Sequence, residues 1–268
     1  MILTQTDFQA VYGPVHSWRY GRSLGIDPIG PVSTCSFRCV YCQLGEIEHH
    51  TDQRSVFVAT DVIARQLQAV ATAAIDVVTL SGSGEPTLAL NLGEILAVCG
   101  AVTGRPTVVL TNGTLLGDRT VQQELQRAAK VAVKVDALTP AQLQGINSPR
   151  PGYDLAEFWH NLAAFRARYS GELAIQTMLL SPWSAAQIAT YVERLRAIAP
   201  DEIQLNVPRR PKPQQHCLEG RENQRSAQDL PLGARSLACV PPATLRAIAQ
   251  AVREATGLRV RCAPQGLS

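Results

Sequence analysis

The sequence contains no uninterrupted apolar run close to the ~18 residues that a membrane-spanning helix needs. Residues 1–7 contain no basic segment leading into an apolar core, so no signal peptide is expected. The 268 residues are 46% hydrophobic and 18% charged, which is a globular composition, and α/β barrels of this size commonly form one domain. These absences argue against a membrane or secreted protein and predict a cytoplasmic one.

The sequence also lacks a strong excess of charge, because its formal net charge is only +3. So small a value gives little reason to expect a nucleic acid or another polyanion as partner. One Pro- and Gln-containing stretch is nevertheless basic, with Arg209, Arg210, Lys212, Arg221 and Arg225. These residues would either line the site of a phosphate-bearing substrate or belong to a solvated loop, and the sequence leaves both readings open.

The seven cysteines show no disulfide framework, and Cys35, Cys39 and Cys42 lie within eight residues, CSFRCVYC. Three thiols this close predict a metal site. Zinc would want a fourth protein ligand, and no nearby histidine or cysteine has the spacing of a zinc finger or ribbon. A four-iron cluster on three thiolates leaves one iron open, as a catalytic centre requires. We therefore predict an iron–sulfur reaction centre, with a zinc site or a structural or electron-transfer cluster as alternatives.

The C-x3-C-x2-C spacing, with the aromatic Tyr41 before the last cysteine, resembles the signature of the radical S-adenosylmethionine (radical SAM) superfamily. The resemblance implies a 4Fe-4S cluster on Cys35, Cys39 and Cys42 whose open iron binds S-adenosylmethionine, with Tyr41 at the cofactor. Reductive cleavage of that cofactor would give a 5′-deoxyadenosyl radical that abstracts hydrogen from a substrate. The resemblance also implies an external one-electron donor of the flavodoxin or ferredoxin type.

Residues 11–28 are similar to the opening of one branch of this superfamily, the iron–sulfur oxidoreductases related to the wybutosine-synthesis enzyme of transfer RNA. Arg19 and Arg22 match that opening, whereas His16 and Trp18 replace residues of it. The wybutosine enzyme also carries an additional cysteine set and a Schiff-base lysine before its radical motif, and this chain has neither. A different substrate is therefore expected: a nucleotide or tRNA base, a peptide, or a small metabolite.

Apolar runs alternate with amphipathic segments through most of the chain. Strands are predicted before the cysteines and at residues 76–81, 107–111, 131–135, 173–179 and 202–206, with helices at 61–73, 91–103, 118–129, 154–169 and 184–198. Such alternation implies right-handed βαβ crossovers and a parallel sheet. A barrel and a doubly wound sheet share this pattern, and the family resemblance favours the α/β class with a partial (β/α)6 TIM-like barrel.

The alternation stops after residue 206. Residues 208–240 contain several Pro, Gly, Gln and Arg residues without a helical or strand period, which predicts a lid-like or binding loop. A helix at 242–254 and a short strand at 258–262 follow. The predicted organisation is a barrel core over residues 1–207 and a C-terminal extension over residues 208–268, within the same domain.

Polar residues end each predicted strand, at the edge where α/β proteins carry their reactive groups. By resemblance to the superfamily's Gly-Gly-Glu motif, Gly82 and Gly84 would allow close backbone approach. Glu85 would accept the ammonium group of S-adenosylmethionine. The other residues predicted at the cofactor are Thr111, Asn112, Lys134, Asp136, Gln176 and Asn206.

Lysine is scarce, with only three in the chain, and one of them, Lys134, stands two residues before Asp136. Alternate residues of a strand point to the same side, so these side chains are neighbours. If they face the barrel interior the ammonium must be paired, because an isolated buried charge is costly. The pair resembles, in reversed order, the Asp-x-Lys of glycyl-radical activating enzymes. We predict that Lys134 anchors S-adenosylmethionine and that Asp136 holds the lysine or a ribose hydroxyl, both acting in catalysis with the three cysteines.

Four cysteines remain outside the motif. Cys217, Cys239 and Cys262 are separated by 22 and 23 residues and include no short chelating pair, so they are not expected to hold a second cluster. Cys99 lies in an apolar helix and is expected to be core.

Overall fold

The computed structural model describes residues 8–70, 74–222 and 233–264. Its strands are β1 (Val11–Ser17), β2 (Gly21–Ile26), β3 (Thr34–Cys35), β4 (His49–His50), β5 (Val77–Leu80), β6 (Thr107–Thr111), β7 (Lys130–Lys134), β8 (Glu172–Met178), β9 (Glu202–Asn206), β10 (Lys212–Pro213), β11 (Ala234–Arg235) and β12 (Arg259–Cys262). Its helices are α1 (Thr60–Val70), α2 (Leu92–Thr103), α3 (Arg119–Leu125), α4 (Pro140–Ile146), α5 (Leu155–Arg166), α6 (Ala185–Ile198) and α7 (Pro242–Thr256). None of these helices is long and apolar enough to cross a membrane.

Four parts of the sequence predictions fall outside the described residues. They are the N-terminal residues 1–7, the last three residues of the predicted helix 61–73, residues 223–232 of the predicted loop 208–240, which include Arg225, and residues 265–268 of the predicted extension.

One eight-stranded sheet organises the molecule, in the order β1-β2-β5-β6-β7-β8-β9-β12. β1 pairs antiparallel with β2, and every other neighbouring pair is parallel. The six predicted strands are confirmed as β2 and β5 to β9. The short C-terminal strand is confirmed as β12, which extends the sheet beside β9. The edge strand β1 was not predicted, because Gly13 and Pro14 interrupt its pattern and its pairing is irregular between Tyr12 and Val15.

The sheet is curled into a half-barrel. In a flat sheet of this order β2 and β9 would lie five strand spacings apart, or roughly 24 Å. Instead the hydroxyl of Tyr20, the residue before β2, donates to Oε1 of Gln204 in β9 at 3.3 Å. This contact requires a curved sheet, and it confirms the predicted partial barrel over the doubly wound alternative.

The outer face of the barrel is apolar and packs against the helices. On β7 the buried residues Val131 and Val133 alternate with Lys130 and Lys134, which point to the other side. The helices pack their apolar faces against it; α1, for example, buries Ile63 and Leu67. Each fully buried aliphatic side chain contributes about 1.5–3 kcal/mol relative to exposure. The hydrophobic core therefore lies between sheet and helices, with Cys99 of α2 in it as predicted.

The interior of the barrel is polar instead. Lys130 pairs with Glu172 across β7 and β8 at 2.7 Å. Gln176 of β8 donates to Gln204 of β9 at 2.9 Å, and both amides also contact the hydroxyl of Tyr20. The interior surface is thus a lumen lined by paired polar groups.

Helix α4 is a further element that the sequence analysis did not predict. Its start has a local signal, because the Thr139 side chain accepts from the Gln142 backbone N–H and Pro140 occupies the first turn. At seven residues the helix is too short to show an amphipathic period. The predicted helices 91–103, 118–129, 154–169 and 184–198 are confirmed within a few residues as α2, α3, α5 and α6.

Arg261 of β12 bridges the open seam between the two edges of the sheet. Its guanidinium donates to the backbone oxygens of Trp18 at 2.6 Å and Arg19 at 3.0 Å, and it lies 3.4 Å from the fully buried carboxylate of Glu202. Arg259, on the same strand, lies 3.6 Å from that carboxylate but is 64% exposed.

We expect Arg261→Leu to lower the free energy of unfolding by about 2–3 kcal/mol, because it leaves a buried carboxylate with fewer donors and opens the seam. Arg259→Leu is the matched control and should cost less than about 1 kcal/mol, since exposed ion pairs contribute little. Urea denaturation followed by circular dichroism measures both. Equal losses in the two variants would contradict this role for Arg261.

Candidate active site

The cysteine loop, residues 35–42, follows β2 at the carboxyl end of the parallel strands. On one side it is fixed to the loop after β5 by two backbone hydrogen bonds, Thr34 N to Ser83 O and Glu85 N to Thr34 O, both 3.1 Å. A Cβ on Gly84 would lie 1.7 Å from Thr34 O. The close backbone approach predicted for this glycine therefore brings two protein loops together.

The segment after α4 holds the other side of the cysteine loop. Val40 N donates to Ile146 O at 2.9 Å, Arg38 N to Asn147 O at 2.8 Å, and Arg150 N to Ser36 O at 3.1 Å. The loop is thus clamped between backbone segments that follow β5 and α4.

Two asparagine amides and one backbone amide lie against the cysteine sulfurs. Asn112 Nδ2 is 3.7 Å from Cys35 Sγ, Phe37 N is 3.4 Å from the same sulfur, and Asn147 Nδ2 is 3.3 Å from Cys39 Sγ. Burial raises the pKa of the Cys35 thiol well above its usual value and that of Cys39 to about 12. Amide donors beside sulfur stabilise the negative charge that metal-bound thiolates carry, so this donor set suits an iron–sulfur cluster.

Among the described residues, no group of three or more His, Cys, Asp or Glu side chains converges as the ligands of one metal ion.

The carboxylate of Asp136, which is fully buried, is the centre of a hydrogen-bond network beside the cysteines. Its Oδ1 lies 3.2 Å from Lys134 Nζ and accepts from the Met178 backbone N–H at 2.7 Å. Its Oδ2 accepts from Asn147 Nδ2 at 2.9 Å and from the Tyr41 hydroxyl. Asp136 therefore joins β7, β8, the cysteine loop and the segment after α4.

Lys134 has the partner that the sequence predicted, since its ammonium pairs with Asp136. The same ammonium lies 4.8 Å from the centre of the Tyr41 ring, a cation–π contact. Its side chain is 22% exposed. Tyr41, predicted at the cofactor, uses its hydroxyl on Asp136 and its ring on Lys134.

Glu85 is buried and ties the end of β6 to the loop after β5. Its Oε1 accepts from Thr111 Oγ1 at 2.6 Å and from the N–H and hydroxyl of Thr87, while its Oε2 accepts from Asn112 N at 2.7 Å. Burial raises the pKa of this carboxyl, and these donors oppose the rise. The motif that was predicted at the cofactor thus also orients Asn112 toward Cys35.

The remaining predicted site residues are spread along the lumen. Asn206 ends β9 at the same edge as Asp136, and its Oδ1 accepts from Val207 N at 2.9 Å. Gln176 lies deeper, bound to Gln204. Gly82, at φ +96°, leaves no room for a Cβ because the carboxylate of Asp27 lies against it.

The C-terminal extension forms a wall of this site. Cys217 N donates to Leu44 O at 2.8 Å, and Gln43 Nε2 donates to Arg210 O at 3.2 Å. Arg221 donates to the fully buried carboxylate of Asp27, just after β2, at 2.8 Å. The sequence analysis did not identify Asp27 or Asn147 as site residues. The residues next to them in the sequence do not indicate a partner more than 100 positions away.

The other cysteines lie on separate segments. Cys217 precedes the 3₁₀ turn Leu218–Glu222, Cys239 Sγ contacts Pro208 O at 3.3 Å, and Cys262 ends β12. That these three hold no cluster remains a prediction.

A family model for the radical SAM superfamily matches residues 29–195, which include the three cysteines and Asp136. The chain is 53% identical over 262 residues to the UPF0026 protein slr1464 of Synechocystis sp., covering 97% of this chain and 98% of that protein. It is 32% identical over 206 residues to the UPF0026 protein MJ1312 of Methanocaldococcus jannaschii, covering 75% of this chain and 64% of that protein.

Among solved structures, Streptococcus suis SuiB bound to S-adenosylmethionine superimposes with a TM-score of 0.61. The match covers 90% of this chain and 50% of that protein, at 14% identity. Identity this low shows a shared fold alone. The family match and the near full-length relative establish that the chain belongs to the radical SAM superfamily and, within it, to the UPF0026 family.

Proposed function

We propose that this protein is a radical SAM enzyme whose 4Fe-4S cluster binds to Cys35, Cys39 and Cys42 and whose substrate is not yet identified. The proposal rests on one observation: two groups of side chains lie next to each other at one edge of the half-barrel. Thiols contacted by amide donors lie next to a lysine whose ammonium is held by a buried carboxylate. When bound, the reduced cluster supplies the electron that cleaves S-adenosylmethionine to a 5′-deoxyadenosyl radical.

The chain's own residues bind and orient that cofactor. Lys134 offers an ammonium to the carboxylate of S-adenosylmethionine, and Asp136 fixes the position of that ammonium. Glu85 Oε2, with one backbone donor, retains capacity to accept from the cofactor's ammonium. At the rim of the lumen Thr111, Asn112 and Asn206 supply polar groups for the ribose, with Gly82 and Gly84 shaping the loop. Gln176 and Tyr41 support the site from within.

The sequence predicts a nucleotide or tRNA base as the substrate, with a peptide or small metabolite as the alternative. The polar lumen and the basic extension favour a substrate with anionic groups over an apolar one. The wybutosine-related branch remains a prediction that rests on residues 11–28. A flavodoxin- or ferredoxin-type protein is proposed as the electron donor, and cytoplasmic localisation is proposed with it. A non-enzymatic iron–sulfur carrier is the alternative from a different class, and it would form no 5′-deoxyadenosine.

The first test reconstitutes the protein anaerobically with iron and sulfide. We expect about four irons per chain, the spectrum of a 4Fe-4S cluster, and 5′-deoxyadenosine formation after reduction with S-adenosylmethionine. The triple variant Cys35→Ala, Cys39→Ala, Cys42→Ala should lose all cluster. A residual four-iron signal there would assign a cluster to Cys217, Cys239 and Cys262, and tightly bound zinc without cofactor cleavage would refute the enzyme.

A second test concerns Lys134. Lys134→Met should keep the cluster but bind S-adenosylmethionine at least tenfold more weakly, about 1.4 kcal/mol or more, measured by titration calorimetry. Lys130→Met is the matched control, since Lys130 lies at the other end of the same strand and pairs with Glu172. Unchanged affinity with lost turnover would place Lys134 at the substrate instead.

A third test uses the contact of Asn147 with Cys39. Asn147→Leu should lower the cluster's reduction potential by tens of millivolts, because a hydrogen bond of about 1 kcal/mol that favours the reduced state corresponds to roughly 40 mV for one electron. A redox titration followed by electron paramagnetic resonance, without S-adenosylmethionine, measures it. Asn206→Leu, an amide at the same edge without a sulfur contact, should leave the potential unchanged. Equal shifts in both would argue against a specific contact.

A further inference from the structure

Lys212 differs from the other two lysines of the chain in what its ammonium contacts. Lys130 and Lys134 each pair with a carboxylate. Among the described residues, no carboxylate lies within ion-pair distance of Lys212, and its half-buried side chain instead places Nζ 3.5 Å from the backbone oxygen of Cys39. The charge of Lys212 therefore lies against the cysteine loop and is not neutralised by a described side chain.

The backbone on both sides of Lys212 is fixed to the segment that follows the cysteines. Gln43 Nε2 lies 3.2 Å and 3.4 Å from the backbone oxygens of the two residues before Lys212, to which it donates. On the other side, Cys217 N donates to Leu44 O at 2.8 Å. Lys212 itself is paired in β10 with Arg235 of β11. The extension therefore holds this lysine beside the cysteine loop through several independent contacts.

The carbonyl that Lys212 contacts belongs to the turn joining two of the cysteines, because Cys39 O also accepts from Cys42 N at 3.1 Å. Only a few bonds separate that oxygen from the sulfur of Cys39, so Nζ lies within roughly 8 Å of it. Burial raises the pKa of the Cys42 thiol, and the charge of Lys212 opposes that rise. At roughly 8 Å and an effective dielectric constant of about 20, one unit charge changes an equilibrium of another by more than tenfold.

We propose that Lys212 raises the reduction potential of the cluster bound to Cys35, Cys39 and Cys42. The bound thiolates are negative, and the one electron taken from the donor adds a further negative charge without forming or breaking a bond. A fixed cation beside them therefore stabilises the reduced state more than the oxidised state. The effect of Lys134 is weaker, since Asp136 opposes its charge.

This inference rests on the proposed radical SAM function and extends it to the C-terminal extension. The superfamily model matches residues 29–195, so Lys212 lies outside the matched segment. The extension would thus take part in the reduction step as well as forming a wall of the site.

The test is a redox titration of the reconstituted cluster, followed by electron paramagnetic resonance without S-adenosylmethionine. In Lys212→Met the ratio of reduced to oxidised cluster at a fixed potential should fall at least tenfold, which is a midpoint about 59 mV lower for one electron. Lys212→Glu should lower the midpoint further, because it reverses the charge. Lys212→Arg keeps the charge and should change the ratio less than about threefold. Lys130→Met makes the same substitution at the start of β7 and should leave the midpoint unchanged.

Equal midpoints in the wild type and in Lys212→Met, both with a full cluster, overturn the inference and leave the proposed function intact. The same shift in the Met, Glu and Arg variants also overturns it, because the lysine would then act through the shape of the loop and not through its charge. If Lys212→Met loses the cluster, the comparison of Lys212→Arg with Lys212→Glu decides. A wild-type protein that forms no four-iron cluster refutes the proposed function itself, and the inference with it.

Discussion

The carboxylate of Asp136 is the group on which the candidate site depends. It is fully buried, and an ionised carboxylate in that position is tolerated only with several donors. The donors come from four parts of the chain: Lys134 in β7, Met178 in β8, Tyr41 in the cysteine loop and Asn147 after α4. Satisfying one charge therefore aligns the cysteine loop with the strand that carries the lysine.

The same requirement explains how the barrel is built. Its outer face buries aliphatic side chains against helices, while its inner face carries charges that must be paired or solvated. Lys130 with Glu172 and the amides of Gln176 and Gln204 satisfy this locally across neighbouring strands. A polar lumen costs stability compared with a packed apolar one.

The C-terminal extension forms part of the candidate site. Its 3₁₀ turn and the residues before it touch residues 43–45 closely enough that a Cβ on Gly45 would lie 1.9 Å from Gln215 O. Arg221 is buried between the rings of Phe8 and Tyr12 and bonded to Asp27. The extension is therefore anchored to the start of the barrel, and the barrel core alone would leave the carboxylate of Asp27 buried without its cationic partner.

The sequence by itself determined the parts that depend on neighbouring residues. The cysteine spacing indicated the metal centre, the apolar runs located the six strands, and the alternation of Lys134 and Asp136 predicted their pairing, because strand geometry places residues two apart on one side. Tertiary structure alone decided the rest. The curl that brings Tyr20 to Gln204, the contact of Asn147 with Cys39 and the burial of Asp27 beneath Arg221 join residues more than 100 positions apart. No local pattern in the sequence predicts such contacts. They form only when packing of the helices closes the sheet and brings the loops at its edge together.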